Sequence, residues 1–98
     1  MARFDVYRTS SAGYLLDVQT DLLAGLNTRV VVPLLPLDTA PKAAKRLNPI
    51  FDIDNQSYLM ATQFMAAMPE TELKQKIGSL IEQQQEVSEA LDMLFIGF

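Results

Sequence analysis

The sequence predicts a mainly β fold that ends in an α-helix, and three features carry this prediction. Residues 3–8 alternate between polar and apolar side chains, which is the pattern of a strand with one buried face. Residues 29–37 include three consecutive valines, and β-branched residues favour the extended state. Near the end of the chain, apolar side chains recur at the spacing of one helix face. They are Val87, Ala90, Leu91, Leu94 and Phe95.

The first two strands are predicted to form a hairpin with a long loop. Phe4 and Val6 fall on the same side of the first strand and are expected to face the core. Turn-forming residues follow, and the strand pattern resumes over residues 14–19. In this second strand, Leu16 and Val18 share one face.

The segment after the second strand interrupts the pattern and places Leu22 beside Leu23 between turn-forming residues. Either both leucines tuck beneath the loop into a small satellite cluster, or they form an exposed apolar patch beside a binding site. The local pattern favours the first interpretation. Arg29, at the start of the next strand, is either a surface charge or the ion-pair partner of Asp17 or Asp21.

Residues 29–37 give the strongest strand signal in the chain, and the apolar run suits a strand that is buried on both faces. Pro33 and Pro36 lack the N–H group that a sheet ladder needs. We therefore expect this strand to lie at an edge of the sheet, or to be bulged or bent at the prolines.

Residues 38–48 are polar, and Pro41 is placed to begin one helical turn. The segment holds three of the eight basic residues of the chain, Lys42, Lys45 and Arg46. Most such clusters are solvated faces, and the alternative is contact with an acidic peptide. Because no aromatic residues are interleaved with them, they make a poor nucleic-acid groove.

Residues 49–62 are predicted to form a second hairpin, with Asp54, Asn55 and Gln56 in its turn. Asp52 and Asp54 could suggest a metal loop, but the further ligands and the glycine of a calcium loop are missing from the sequence. We therefore place these acids on the outer face of a strand and predict no metal site.

The final helix is predicted over residues 80–95, approximately. Gly78 and Ser79 interrupt the preceding pattern, and Ser79 can cap the helix with Glu82 completing a capping box. Gly97 stands where helices usually stop. The residues that follow the helix either finish the core or are presented to a partner.

The composition limits the classes of function that this chain can have. Its 98 residues suit a single domain with its own core. It contains neither Cys nor His, which removes the thiolate nucleophile and the commonest general base and metal ligand. No phosphate-binding loop or nucleophile motif is visible, so we predict no cofactor and favour a protein that acts by binding rather than an enzyme.

The charge and the hydropathy pattern point to a protein of the cytoplasm without direct nucleic-acid binding. The net charge of −4 does not suit a nucleic-acid binder, which should carry a basic footprint. The chain shows no signal-peptide pattern at its start. Its longest apolar run, residues 30–37, falls well short of the roughly twenty residues of a membrane span.

Several short motifs in order make the chain resemble the CcdB-type toxins, the gyrase-poisoning halves of bacterial toxin–antitoxin pairs. The likeness covers nearly all 98 residues, and the order and spacing of the motifs make it specific. The motifs are F-D-V-Y at 4–7, D-V-Q-T-D-L-L at 17–23, R-V-V-V-P-L at 29–34, P-I-F-D-I-D at 49–54, M-A-A-M-P at 65–69 and L-F-I-G-F at 94–98.

The resemblance implies an SH3-like antiparallel barrel with a C-terminal helix, as in CcdB, MazF and Kid toxins, assembled as a homodimer. The barrel would cover residues 1–78 approximately, the helix about 80–95 and the tail 96–98. The resemblance also implies that residues 73–80 are partly strand.

The resemblance further implies a toxin that binds the A subunit of DNA gyrase and traps the cleaved gyrase–DNA complex without performing chemistry itself. A CcdA-like antitoxin with a disordered acidic tail would neutralise it, and Lys42, Lys45 and Arg46 are possible contacts for that tail. The gyrase surface carried over from the family consists of Leu22, Leu23, Asp92, Phe95, Ile96, Gly97 and Phe98. This assignment favours exposure of the two leucines.

One position departs from the family pattern, in which a Trp that stacks on a gyrase arginine is followed by Gly and Ile. Here Ile96 stands at the Trp position and Phe98 at the Ile position. Ile lacks the π face that attracts a cation, an attraction worth about 0.5–2 kcal/mol. One alternative follows from this departure: a CcdB homologue that has lost gyrase poisoning and mainly binds antitoxin. A second alternative, a MazF/Kid-like endoribonuclease, follows from the shared barrel, since a fold alone does not fix function. The net charge and the missing His count against the endoribonuclease.

Overall fold

The fold is described for residues 2–9 and 12–97 in a computed structural model, and this part of the chain contains seven strands and one α-helix. The strands are β1 (Asp5–Arg8), β2 (Tyr14–Asp17), β3 (Thr28–Pro36), β4 (Ile50–Ile53), β5 (Gln56–Met60), β6 (Ala66–Pro69) and β7 (Lys76–Ser79). The helix α1 spans Gln84–Phe95. Short 3₁₀ turns occupy Asp21–Leu23, Thr62–Phe64, Glu70–Glu72 and Ile81–Gln83. The predicted fold class, mainly β with a C-terminal helix, is confirmed.

The strands form one antiparallel sheet in the order β4-β5-β3-β2-β1-β7, and β6 pairs with β3 next to β5. The two predicted hairpins are confirmed, with Val6 opposite Leu16 in the first and Phe51 opposite Tyr58 in the second. The β7 strand confirms that residues 73–80 are partly extended. The sheet curls into a partial barrel, and side chains from its outer strands and from α1 all pack into one core.

Strand β3 lies at the centre of the sheet, so the edge position, one of the alternatives expected from its prolines, is wrong. It pairs with β2 on one side, and on the other side with β6 over its first half and with β5 over its second. The carbonyl of Pro33 accepts a hydrogen bond from the Ala61 N–H (2.9 Å), which shows that its backbone faces the gap where β6 gives way to β5. Proline is accommodated there because the ladder is interrupted at that point.

The core lies on the concave face, and a second, smaller cluster covers the other face. Phe4 and Val6 are buried, as predicted. They join a core that includes Leu16, Val32, Leu34, Phe51, Met60, Val87 and Ala90. On the opposite face, Tyr7 and Val31 pack with Leu73, so β1 and β3 are buried on both sides.

Helix α1 packs its first half on the sheet and leaves its last turn in solvent. Ser79 accepts a hydrogen bond from the Ile81 N–H (3.1 Å) and so caps the 3₁₀ turn that leads into the helix. Burial then fades along the predicted stripe, from Val87 and Ala90 to Phe95, which is exposed. Phe95 is exposed because the final turn extends past the core, as the resemblance implied for a residue of the partner surface. Within the described residues, no helix is long and apolar enough to cross a membrane.

Candidate functional site

The turn between β2 and β3 presents two leucines to solvent. Leu22 is 92% exposed and Leu23 about half exposed. No side chain of this 3₁₀ turn is buried, and a polar network lies beneath it in place of an apolar pocket. The interpretation that both leucines tuck under the loop is therefore wrong. The turn is held locally by Thr20, whose hydroxyl oxygen accepts a hydrogen bond from the Leu22 N–H (3.3 Å).

The end of α1 presents a second exposed apolar group. Phe95 is 70% exposed and Ile96 62% exposed, and the neighbouring Asp92 and Gly97 also face solvent. Exposed large apolar side chains that lie side by side are more informative than a single one, since such patches mark contact sites. Phe98, the remaining residue of the predicted gyrase surface, lies outside the described residues.

Gly97 ends the helix in the way the sequence predicts. Its φ is +88°, a left-handed conformation that favours glycine. The N–H groups of Ile96 (2.7 Å) and Gly97 (3.0 Å) both donate to the carbonyl of Asp92. These two bonds hold the backbone of Ile96 against the last helical turn.

The predicted gyrase residues thus form two groups on separate elements. Leu22 and Leu23 lie together on the β2–β3 turn, and Asp92, Phe95, Ile96 and Gly97 lie together at the helix end. Besides the sheet, α1 also contacts the 3₁₀ turn Thr62–Phe64.

Arg29 is neither at the surface nor free, which decides between the alternatives left open by the sequence. Its side chain is 1% exposed and forms two hydrogen bonds with the carboxylate of the fully buried Asp17 (2.7 and 2.9 Å). Hydrogen bonding to Asp17 raises the pKa of the Arg29 guanidinium. Asp21, at the start of the exposed turn, lies 3.9 Å from the same guanidinium.

The three basic residues lie in the long connection between β3 and β4. Lys42, Lys45 and Arg46 are all exposed, and none of them pairs with an acid within the described part of the chain. The expected helical turn at Pro41 is wrong in its position. A single turn forms later, where Asn48 donates its N–H to the Ala44 carbonyl (3.0 Å).

Asn48 anchors this connection, since its buried side-chain amide donates to the carbonyl of Met60 (2.9 Å) and to the side chain of Gln63 (2.8 Å). The basic side chains therefore stand on a tethered loop.

The acids of the second hairpin lie on its outer side, as predicted. Asp52 is exposed and accepts a hydrogen bond from the hydroxyl of Ser57 (2.7 Å). Among the described residues, no group of three or more Asp or Glu side chains is arranged to hold a metal ion. A cleft of about 450 Å³ lies at the opposite end of β2 and β3 from the Leu22 turn, and its walls include Tyr14, Tyr58 and Arg8.

Sequence reasoning missed the residues that hold the Leu22 turn in place, above all Gln19 and Arg3. Gln19 bridges the turn to β3, and Arg3 donates its backbone N–H to Asp21 (2.8 Å). A signal was available: Asp17 and Gln19 share one face of β2 and its extension, across from Arg29 on β3. Nothing in the sequence indicated the unusual backbone conformation of Phe4. It adopts a left-handed φ of +77°, which is rare for a bulky residue.

A comparison with protein-family models matches residues 3–97 to the model described as CcdB protein. The match spans β1 to the end of α1 and includes both exposed groups.

Proposed function

The chain belongs to the CcdB family, whose members are toxins of toxin–antitoxin systems, and from this premise we propose that it poisons DNA gyrase by binding its A subunit. The proposed surface consists of the exposed turn (Leu22 and Leu23) and the helix end (Asp92, Phe95, Ile96, Gly97 and Phe98). The toxin acts by trapping the cleaved gyrase–DNA complex, not by catalysis. It works as a homodimer in the cytoplasm.

The observation that carries this proposal is the exposure of large apolar side chains at the positions of the family's gyrase surface. Leu22, Phe95 and Ile96 are each more than half exposed. Burying such side chains against a partner removes apolar area from water, and each one contributes about 1.5–3 kcal/mol if it becomes fully buried. Exposed apolar groups of this kind are typical of a toxin surface that a target protein covers.

The antitoxin is proposed to contact the basic connection between β3 and β4. Lys42, Lys45 and Arg46 form no ion pairs with described residues, so they are available to an acidic segment. A disordered acidic tail would gain charge-assisted hydrogen bonds there.

Calorimetric titration of the full chain into the dimerisation fragment of the gyrase A subunit tests the proposal. We expect binding at micromolar Kd or tighter, and loss of binding when residues 96–98 are deleted. Leu22→Ala should weaken binding by about tenfold, because it removes most of a side chain whose full burial contributes about 1.5–3 kcal/mol. Sedimentation of the free protein should give twice the mass of one chain.

The matched control is Leu37→Ala, which truncates a half-exposed leucine beyond the other end of β3 and should leave the Kd unchanged. Thermal unfolding of each variant shows whether it is folded. Equal affinity of the full and truncated chains would remove the helix end from the proposed surface.

A second candidate is favoured by Ile96, which stands where the family has an aromatic anchor. In that case the protein has lost gyrase poisoning and mainly binds antitoxin. The same titration distinguishes the two, since no heat with the gyrase fragment together with tight binding of a CcdA-like antitoxin would select the second candidate.

A further inference from the structure

We propose that Gln19, supported by the buried Asp17–Arg29 pair, is a positioning residue that holds Leu22 and Leu23 in the conformation that binds the partner. This inference rests on the proposed function for its binding surface. It adds a set of buried residues that touch no partner and yet set the affinity.

The turn that carries the leucines has no apolar anchor of its own. Every residue from 20 to 28 is at least partly in solvent, and none of them is buried. A loop with few buried contacts samples many conformations by default. Polar contacts must therefore supply whatever order this turn has.

Gln19 makes the central contacts. Its side-chain amide donates to the carbonyl of Leu23 (3.3 Å), and its side-chain oxygen accepts from the N–H of Val30 on β3 (3.1 Å). The side chain thus ties the far end of the exposed turn to the sheet. In doing so its oxygen takes the place of the Val18 carbonyl, because Val18 donates its N–H to the Val30 carbonyl (3.0 Å) and a regular antiparallel pair would return the Val30 N–H to Val18.

The Asp17–Arg29 ion pair holds the backbone of Gln19 in place. One carboxylate oxygen of Asp17 accepts the backbone N–H of Gln19 (3.0 Å), and the Arg29 guanidinium approaches the Gln19 carbonyl (3.4 Å). All three side chains are buried, and no buried side-chain nitrogen or oxygen in the described part of the chain lacks a partner. A satisfied buried network of this kind holds its members in one arrangement.

The near end of the turn is tied by Asp21. Its carboxylate accepts the N–H of Arg3 (2.8 Å) and lies 3.9 Å from the guanidinium of Arg29. The buried guanidinium is therefore close to Asp21 at one end of the turn and to Gln19, which holds the other end. Arg3 in turn donates its Nε–H to the carbonyl of Val18 (3.2 Å).

The placement of these bonds argues for positioning rather than stability alone. Replacing a buried ion pair by apolar residues is often neutral or stabilising, so an ion pair is not needed to fill this site. Here the polar contacts lead to backbone atoms of the turn that presents the leucines. A partner that binds one conformation of the turn has an apparent Kd that rises as the population of that conformation falls.

The test uses Gln19→Met, which keeps the length of the side chain and removes both of its hydrogen bonds. Gln75→Met is the matched control, since Gln75 is an exposed glutamine outside the network. Backbone order parameters from ¹⁵N relaxation are measured for Leu22, Leu23 and Leu26 in the full chain, and calorimetry gives the Kd for the gyrase A fragment. We expect Gln19→Met to lower the order parameters of the turn. It should also weaken binding by about tenfold, because the apparent Kd rises tenfold when the population of the binding conformation falls to about a tenth of its native value.

Unchanged order parameters in folded Gln19→Met would overturn the proposal, as would lower order with an unchanged Kd. If Gln19→Met does not fold, Gln19→Glu is measured in the same way, because it keeps the acceptor for Val30 and removes the donor to Leu23. If the native chain does not bind the fragment, the proposed function fails, and the order parameters alone decide whether Gln19 positions the turn.

Discussion

At the scale of single residues, Ile96 departs from the family pattern, which has a Trp at this position. It is exposed and follows Phe95, and the bonds to Asp92 hold its backbone at the end of the helix. An aliphatic side chain there can bury apolar area against a partner but offers no π face to a cation. In the proposed gyrase contact, Ile96 therefore lacks the cation–π attraction that a Trp would supply.

We expect Ile96→Trp to tighten binding to the gyrase A fragment. The restored cation–π attraction of about 0.5–2 kcal/mol corresponds to a Kd lower by roughly twofold to thirtyfold. Because residue 96 is largely exposed, the midpoint of thermal unfolding should change little. Calorimetry gives the Kd of the variant beside Ile50→Trp, which adds the same ring at a half-exposed site on β4 and should have no effect. A Kd equal to or above that of the native chain would show that no cation meets this position.

At the scale of elements, the β4–β5 hairpin depends on two residues in the left-handed conformation. Asp54 has φ +51° and Asn55 φ +64°, as the two central positions of a type I′ turn require. Asp and Asn tolerate this region better than other residues with a side chain, which is why the sequence alone identified the turn.

Asn55→Ala is expected to destabilise the protein by about 1 kcal/mol, because alanine has no side-chain amide to offset the cost of a left-handed backbone. Asn55→Gly is the matched control and should stay within roughly 0.5 kcal/mol of the native chain, since glycine adopts this conformation without strain. Urea unfolding of the three proteins gives the free energies. Equal stability of the Ala and Gly variants would mean that the turn relaxes to another conformation.

At the scale of the whole molecule, the stability of the fold should depend on alkaline pH through Tyr7. This side chain is buried between the sheet and Leu73, and its hydroxyl lies 3.4 Å from a carboxylate oxygen of Asp5. Burial, together with the nearby charges of Asp5 and Asp17, raises the pKa of Tyr7 to about 12. The folded protein therefore keeps the Tyr7 proton at a pH where the unfolded chain has lost it.

The stabilising effect of the Tyr7 proton should be complete below about pH 10, where tyrosine is protonated in both states, and should be lost as the pH rises towards about 12. The urea midpoint measured across this range should fall for the native chain. In Tyr7→Phe it should fall less steeply, because this variant has no phenol at position 7 to lose a proton. Parallel curves for the two proteins would contradict the assignment.

Much of this fold could be predicted because its signals are local. The alternation at Phe4 and Val6, the valines of β3 and the turn at Asp54 each depend on neighbours in the chain. The central position of β3 could not be predicted, since it depends on pairing with β5 and β6, which come much later in the chain. The burial of Arg29 was likewise hidden, because its partner Asp17 lies on another strand.

For the candidate site, the family resemblance was more informative than the local pattern. It favoured exposure of Leu22, whereas two adjacent leucines in a loop suggested burial. The network around Gln19 was missed because no single residue in it is unusual. Its role becomes clear only in the folded chain, where the end of β2, the start of β3 and the turn between them are in contact.

The pairing of β1 with β7 has a consequence for how the protein is made. Asp5 lies opposite Ser79, so β1 is completed by a strand that is synthesised only after β2 to β6. Long-range pairing of this kind forms late, because the intervening chain must first be closed into a loop. Until then, β1 has an open edge and the sheet is incomplete. Translation itself therefore sets an interval between the synthesis of β1 and the first moment at which this sheet can be complete.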